Sequence, residues 1–349
     1  MKIKSINLSY FRNFNLVKED LGSELTLVVG KNAKGKTSLL EAIYAILTGT
    51  GFRESKELEL INFDKNEAVI SAFFKDSDDD ILMQIHLGKT EKERVVKRFF
   101  INKTQKPQKK FKDTTPQGVL FAPEHIQIIT GSPSRKRRYF DDVLSKDDQN
   151  YKRRLRNYEE ALRKRNKILE NYIDLYKLKA EIDFWDKYLI EQAEYILSRR
   201  QKYIDFLNTE NTLESKIFNV KYIKNMFSLE ELNQNRDREY FLRRTLIGPQ
   251  KDDYIILMNK NERAQEVNLF GSRSEQRMAL FWLKRNELLY YEKNSGMRPI
   301  LLLDDIFSEL DDENRELVMK VVATYQTVAT TTEEEVKDIS LVPEVVIRL

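Results

Sequence analysis

The chain has 349 residues, 33% of them charged and 41% hydrophobic, enough apolar content for a large core and far from the composition of a disordered tail. With 11 Gly and 7 Pro it is poor in turn formers, so long elements are expected and a sandwich of many short strands is not. Zero Cys and two His (His86 and His125) exclude disulfides, thiolate metal sites and a cysteine nucleophile, and leave little for a histidine relay.

In chain order, the opening MKIKSINLSYFRNF reads as an amphipathic strand without the apolar run of a signal peptide. No stretch nears the roughly 18 apolar residues of a membrane span, so a cytoplasmic protein with no membrane partner is expected. Strands are expected at Ile3 to Leu8, Leu25 to Val29, Ala68 to Phe74, Ile81 to Leu87 and Val95 to Ile101. One helix interrupts them, opening at Lys36-Thr37 with Leu39, Leu40, Ile43 and Ile46 on one face. Another begins near Gly131-Ser132-Pro133, where a serine can cap and Pro133 suits a first turn. Tyr151, Leu155, Tyr158, Leu162, Leu169 and Tyr172 keep a three-four rhythm broken at Arg165. Ile182, Trp185, Leu189, Ile196, Tyr203 and Leu207 do the same with gaps at Gln192 and Arg200. Two long helices with a short connection should pair antiparallel. Beyond a polar stretch at Asn233 to Arg236 the pattern is mixed again: strand Tyr254 to Met258, helix Ser274 to Tyr291, apolar strand Pro299 to Leu303, helix Glu313 to Ala323, strands Thr327 to Thr330 and Glu344 to Ile347.

The net charge of +4 conceals an asymmetry. From Lys103 to Lys167 there are 18 basic and 8 acidic residues, a local excess of +10, and the remainder of the chain carries −6. A stretch of that sign attracts a polyanion, which makes Arg135, Lys136, Arg137, Arg138, Lys152, Arg153 and Arg154 candidate contacts for such a partner. A solvated helix face would show the same run.

Gly30-Lys31-Asn32-Ala33-Lys34-Gly35-Lys36-Thr37 fits G-x-x-x-x-G-K-[ST], with an apolar strand before it and a helix after it. Its glycines let backbone N–H groups and the helix N-terminus face a phosphate chain. Lys36 reaches the β- and γ-phosphates, and the Thr37 hydroxyl is a Mg2+ ligand. The apolar run Ile300-Leu301-Leu302-Leu303 ends in Asp304 and Asp305, which places Asp304 at the carboxyl edge of the sheet to hold Mg2+ and Asp305 to polarise water. Lys36 and Asp304 lie far apart in the chain, with paired helices between them. The expected fold is therefore mixed α/β, a P-loop ATPase head formed by 1–125 and 240–349 and split by a helical lobe over 126–239, which the segments that follow narrow to the ABC type.

Phe307-Ser308-Glu309-Leu310-Asp311 resembles the D-loop of ABC ATPases, with Ser308 and Asp311 as its polar positions. The segment Ser272-Arg273-Ser274-Glu275-Gln276-Arg277, opening a helix, resembles their signature region. With Ser9-Tyr10-Phe11-Arg12-Asn13-Phe14, Val119 to Glu124, Gly131 to Asp141, Arg165-Asn166, Trp185-Asp186 and Ile247 to Asp253, nearly the whole chain resembles the RecF family of bacterial recombination mediators, among the SMC-like ABC ATPases. Three positions depart from those patterns: Ser274 stands for a signature Gly, Gln250 for a His, and Asp305 for the Glu of most ABC ATPases.

The resemblance implies that ATP binds at Gly30 to Ser38 of one subunit, with Arg12 and Asn13 near the base or ribose. It implies that Ser272 to Arg277 of a second copy close the site, that hydrolysis is slow and switch-like, and that Glu124 is a Q-loop sensor by position. It further implies an ATP-dependent homodimer that binds gapped DNA and works with RecR and RecO to load RecA. A related head ATPase of plasmid maintenance or phage defence would carry an added nuclease domain, for which this length has no room. A transporter ATPase subunit would carry an LSGGQ loop and a His where Thr330-Thr331-Thr332 stand.

Overall fold

The computed structural model describes residues 1–31, 33–53, 57–76, 79–260, 263–307, 312–332 and 342–349, without the side chains of 175–177, 179–180 and 312–314. Its residues group into two compact units, 1–125 with 287–349 and 126–286.

The first unit contains two sheets with a helix between them. One is antiparallel, in the order β2-β1-β4-β5-β6-β7 (Leu16–Asp20, Lys2–Ser9, Glu67–Asp76, Asp79–Lys89, Val95–Ile101, Thr104–Lys106). The other is parallel, in the order β15-β3-β14-β13-β8 (Val345–Arg348, Leu25–Val29, Thr327–Thr331, Ile300–Leu303, Gly118–Phe121). Helix α1 (Lys36–Thr48) lies against β4 and β5 of one sheet and β8 and β14 of the other. Being covered on both sides, it buries Leu39, Leu40, Ile43 and Ile46 and also Ala42, Ala45 and Leu47, so the single apolar face expected of it is an underestimate. Its flanks are glycines in the left-handed region, Gly35 at φ 105° and Gly49 at φ 78°. Strands β3, β8, β13 and β14 are buried along their whole length, as expected of a parallel sheet; β13 reads as a continuous apolar run, whereas β14 carries three threonines. Helix α2 (Gln108–Thr114) and helix α10 (Asp312–Val322) complete this unit.

The second unit is dominated by α4 (Pro133–Asp147), α5 (Gln149–Asn171) and α6 (Leu175–Thr209), with the short α3 (Gln127–Thr130) before them. The partners Arg154 with Glu191 and Arg165 with Asp186 run in opposite chain directions, so α5 and α6 are antiparallel. The interruptions in their apolar rhythm are buried polar contacts. Arg165, fully buried, donates Nε to Asp186 Oδ1 at 2.7 Å, Nη2 to Glu239 Oε2 at 2.6 Å and Nη1 to Thr245 Oγ1 at 2.7 Å. Arg200 donates to both oxygens of Asp141 and, through Nη1, to Asp252 Oδ2 at 2.7 Å. Gln192 accepts from Arg154 at 3.2 Å. The Arg165 and Arg200 guanidiniums each span carboxylates from other elements, the arrangement a buried charge requires.

The same unit holds a sheet in the order β12-β11-β10-β9 (Arg263–Glu266, Asp253–Lys260, Lys216–Ile223, Thr212–Leu213) and helices α7 (Leu229–Leu242) and α8 (Val267–Phe270). Helix α9 (Arg273–Ser295) continues from it into the first unit. Residues 240–286, expected with the ATPase head, therefore group with the helical residues instead. The cause is pairing: β11 runs antiparallel to β10 from Phe218 with Met258 to Ile223 with Asp253, so the strand after the lobe completes the lobe's own sheet. The polar stretch Asn233 to Arg236 is the middle of α7, held by Glu239 on Arg165 and by Arg236 on Asp186 at 2.8 Å. Among the described residues no helix is long and apolar enough to cross a membrane.

Candidate nucleotide site

Two parallel strands deliver the chemistry to one edge. β3 leads into the phosphate loop, and β13, one strand away across β14, ends at Asp304. In open α/β sheets that carboxyl edge is where ligands bind. The loop is bent to fit: Ala33 sits at φ 66° and Gly35 at φ 105°. A Cβ on Gly35 would lie 2.7 Å from Asn13 Nδ2 and from Phe14 Cζ, so only glycine allows that approach. Asn13 thus lies against the phosphate loop at Gly35. Lys36, buried, folds back so that Nζ donates to Gly30 O at 2.6 Å, placing a cation inside the loop. Asn32 of the loop lies outside the described residues, as do the D-loop positions Ser308 and Asp311.

Thr37 opens α1 and donates its hydroxyl to Asp304 Oδ1 at 3.1 Å. Thr330, fully buried at the end of β14, donates to the same oxygen at 2.8 Å and accepts from the Asp305 N–H at 2.9 Å. Burial pushes the Asp304 carboxyl above the ordinary carboxylate value, the Thr330 and Thr37 hydroxyls draw it back, and the nearby charge of Glu124 pushes it up again. A hard cation with oxygen ligands at about 2.0–2.1 Å and octahedral angles needs neighbouring oxygens roughly 3 Å apart. Thr37 and Asp304 present a hydroxyl and a carboxylate oxygen at that spacing, so the residues fit Mg2+. Asp305 occupies the left-handed region at φ 51°, an uncommon conformation for a residue with a Cβ.

These groups open on a cavity of about 960 Å³ whose lining includes Lys36, Thr37, Ser38, Asp305 and Thr330 together with Arg12, Asn13, Glu59, Asn62, Phe63 and Lys65. Arg12 is not a loose cation. Its Nε and Nη2 donate to the two oxygens of Glu41 at 2.8 and 3.0 Å, and Glu41 is fully buried one turn into α1 from Thr37. This bidentate pair ties the segment after β1 to the helix that carries the phosphate lysine. Neither Glu41 nor Thr330 is evident as a site residue from sequence. A carboxylate four residues after the loop threonine, in an otherwise apolar helix, was the available signal.

The signature residues open α9. Ser272 Oγ accepts from the Glu275 N–H at 3.2 Å and Glu275 Oε2 accepts from the Ser272 N–H at 2.8 Å, a reciprocal capping box. That backbone bond, with Lys260 at 3.0 Å, holds the Glu275 carboxyl below its ordinary value. Ser272 and Arg273 are exposed, and Ser274, Gln276 and Arg277 are half-buried.

The basic residues divide. Lys136 is buried, donating to Tyr254 O at 2.9 Å beside Asp253, and Arg137 donates to Asp252 O at 2.7 Å. Arg154 pairs with Glu191 at 2.5 Å. These three are engaged in holding their unit together, whereas Arg135, Arg138, Lys152 and Arg153 are exposed.

Residues 1–339 match the family described as AAA ATPase domain. The DNA replication and repair protein RecF of Agathobacter rectalis is 31% identical over 95% of this chain and 92% of its own length. A solved structure of the recombination mediator protein RecF with ATPrS, in the RecFOR pathway, superposes with a TM-score of 0.84 at 25% identity, covering 99% of this chain and 95% of that one. The Smc head domain of Pyrococcus furiosus with an extended coiled coil has a TM-score of 0.51 at 14% identity over 97% and 91% of the two chains, a likeness of fold alone. By its fold, its length and its likeness to these relatives, the chain belongs to the RecF family of DNA replication and repair proteins.

Proposed function

We propose that this protein is an ATP-switched, DNA-binding mediator of recombinational repair, acting in the cytoplasm. The observation that carries the reading is the meeting of Lys36, Thr37, Asp304 and Thr330 at one sheet edge, beside a cavity of about 960 Å³.

Gly30 to Ser38 hold the phosphates of ATP: loop N–H groups and the N-terminus of α1 face them, and Lys36 exchanges the Gly30 carbonyl for β- and γ-phosphate oxygens. Thr37 and Asp304 would hold Mg2+, which supplies charge neutralisation on the phosphates when bound. Arg12, fixed on Glu41, and Asn13, fixed against Gly35, bound the nucleoside part of the cavity. Asp305 is the group that orients the attacking water, with a shorter reach than glutamate, which favours slow turnover. Glu124 senses the site through its charge on Asp304.

Ser272 to Arg277 of a second copy close on the γ-phosphate. Ser272 Oγ accepts from Glu275 N–H, and its own O–H is there to donate to phosphate, backed by the first-turn N–H groups of α9. The closed dimer binds gapped DNA by nonspecific contacts from Arg135, Arg138, Lys152 and Arg153 and, with RecR and RecO, promotes loading of RecA; hydrolysis reopens it.

Titration calorimetry with ATP, with and without Mg2+, tests the site. Lys36→Ala should weaken ATP binding by roughly 100-fold, about 2.7 kcal/mol for loss of a charge-assisted phosphate contact. Thr37→Ala and Asp304→Asn should match the parent without Mg2+ and lose the gain that Mg2+ gives. Absence of ATP binding, or a Lys36→Ala protein that binds as the parent does, overturns the proposal.

A further inference from the structure

The middle strand of the parallel sheet carries hydroxyls deep inside the protein. β14 lies between β3, which feeds the phosphate loop, and β13, which ends at Asp304. All five of its residues are buried, and Thr327, Thr330 and Thr331 are threonines. A buried hydroxyl is costly unless it is hydrogen-bonded. Thr327 satisfies its own locally, donating to Tyr325 O at 2.9 Å. Thr330 instead reaches across to the end of the neighbouring strand, and it is fully buried where it does so.

Parallel pairing matches Leu303 with Ala329, so the next residues along, Asp304 and Thr330, stand level. A threonine hydroxyl has one hydrogen to give and two lone pairs to accept with. The hydrogen goes to Asp304 Oδ1 at 2.8 Å, the oxygen that also accepts from Thr37. A lone pair takes the Asp305 N–H at 2.9 Å. Asp305, at φ 51°, sits in a backbone region that a residue with a Cβ enters at a cost and keeps only where its surroundings over-determine it. One side chain therefore fixes both the carboxylate that would hold Mg2+ and the strained backbone from which the next carboxylate is aimed.

We propose that Thr330 is a positioning residue for ATP hydrolysis, its hydroxyl locking Asp304 and Asp305 into one geometry. The proposal rests on the nucleotide reading of the site given above. In the reaction a water oxygen bonds to the γ-phosphorus as that phosphorus releases the β,γ-bridging oxygen. ADP leaves with the electron pair, and the water's proton passes through the Asp305 carboxylate to solvent. Thr330 takes no part in that exchange of bonds. It restricts the directions open to the Asp305 carboxylate and keeps Asp304 Oδ1 turned toward Thr37. The phosphates are held by Lys36 and the loop N–H groups, so loss of the hydroxyl touches turnover far more than binding.

The test measures ATP binding by titration calorimetry and phosphate release with gapped DNA, both at saturating Mg2+, for the parent, Thr330→Val, Thr330→Ala and Thr330→Ser. Thr330→Val keeps the branched shape without the hydroxyl, and Thr330→Ala keeps neither, so the prediction does not hang on one variant's folding. Each should lower kcat by about 10–100-fold, the usual effect of removing an outer partner of a metal-site carboxylate, and change KM and ATP affinity by less than about threefold. Thr330→Ser keeps the hydroxyl and should recover kcat to within about threefold of the parent. Joined to Asp305→Asn, Thr330→Val should lower kcat by no more than about twofold beyond Asp305→Asn alone, because the two act as a unit. A threonine that only supports the strand would lower the thermal midpoint and leave kcat of the folded protein unchanged. Parent-like kcat in Thr330→Val and Thr330→Ala, a Thr330→Ser protein as slow as Thr330→Val, or losses that multiply in full with Asp305→Asn overturn the positioning role and leave the nucleotide site intact. So does a parent that binds ATP with Mg2+ and releases no phosphate. A parent that binds no ATP overturns both.

Discussion

Arg165 is the side chain whose removal should cost this protein most outside the nucleotide site. It is fully buried and closes three contacts at 2.6 to 2.7 Å, on Asp186, Glu239 and Thr245. In Arg165→Ala those carboxylates keep only part of their support: Asp186 retains Arg236 at 2.8 Å, and Glu239 retains the Leu246 N–H at 2.8 Å on its other oxygen. Breaking one partner from a buried ionic cluster costs about 3–5 kcal/mol, and the surviving Arg236 contact places this case toward the lower end. Urea unfolding read by tryptophan fluorescence isolates the effect, because both tryptophans, Trp185 and Trp282, lie in the 126–286 unit. With a urea slope of about 2 kcal/mol per molar, the midpoint should fall by roughly 1.5–2 M. Arg165→Lys should lose an intermediate amount, since an ammonium cannot span both carboxylates. Joining Arg165→Met to Glu239→Gln should cost less than the sum of the two single changes by at least ~0.5 kcal/mol, as expected for directly coupled groups. A midpoint shift below about 0.5 M for Arg165→Ala would refute the reasoning, because a loss near ~1 kcal/mol is what an ordinary surface contact gives.

Other consequences follow from the same contacts. Because the folded state raises the Asp304 carboxyl, its ionised form opposes folding: the favourable contribution is complete below the ordinary Asp value and is lost as pH rises through the folded one. Asp304→Asn should therefore raise the thermal midpoint of the nucleotide-free protein at neutral pH, with the gain vanishing on acidification, as scanning calorimetry across pH would record. Protonation also competes with Mg2+, so the Mg2+-dependent part of ATP affinity should fade on acidification at a pH above that of an ordinary aspartate. Ser272→Ala should cost about 1 kcal/mol of local helix stability, seen as faster amide exchange in the first turn of α9, and should impair ATP-dependent dimerisation more than ATP binding by a single chain. Neutralising exposed Arg135, Arg138, Lys152 or Arg153 singly should lower the slope of log DNA affinity against log salt by about 1 each, whereas Lys136→Met should destabilise the fold instead.

The phosphate loop was legible because four fixed residue types between an apolar strand and a helix have one economical structural meaning, and Asp304 because an apolar run ended in carboxylates. The long helices were legible from their rhythm, and the breaks at Arg165, Gln192 and Arg200 mark buried polar contacts that periodicity alone reads as noise. Strand β10 stayed hidden because it is Lys-, Asn- and Tyr-bearing and only every second residue of its middle is buried, so the lobe was cut short at 239. Helix α7 stayed hidden because its apolar residues are few, and its stability comes from ion pairs with distant Arg165 and Asp186. Ser228 three residues before Glu231 was its one local signal; the hydroxyl does accept from that N–H, at 3.3 Å. Part of the basic run proved structural because Lys136, Arg137 and Arg154 find their partners only after the chain has folded. Glu41 and Thr330 act through neighbours far off in sequence, which spacing cannot show.

The central claim is that ATP bound at Lys36 joins two copies into a DNA-holding state, and its most direct test is light scattering of the 41.5 kDa chain with and without Mg2+-ATP, followed by gapped-duplex binding over a salt series. The account predicts that Mg2+-ATP doubles the mass, that DNA affinity appears only in that state and falls steeply with salt, and that Lys36→Ala abolishes both. A chain that stays monomeric with Mg2+-ATP, or that binds gapped DNA equally well without nucleotide, would contradict it.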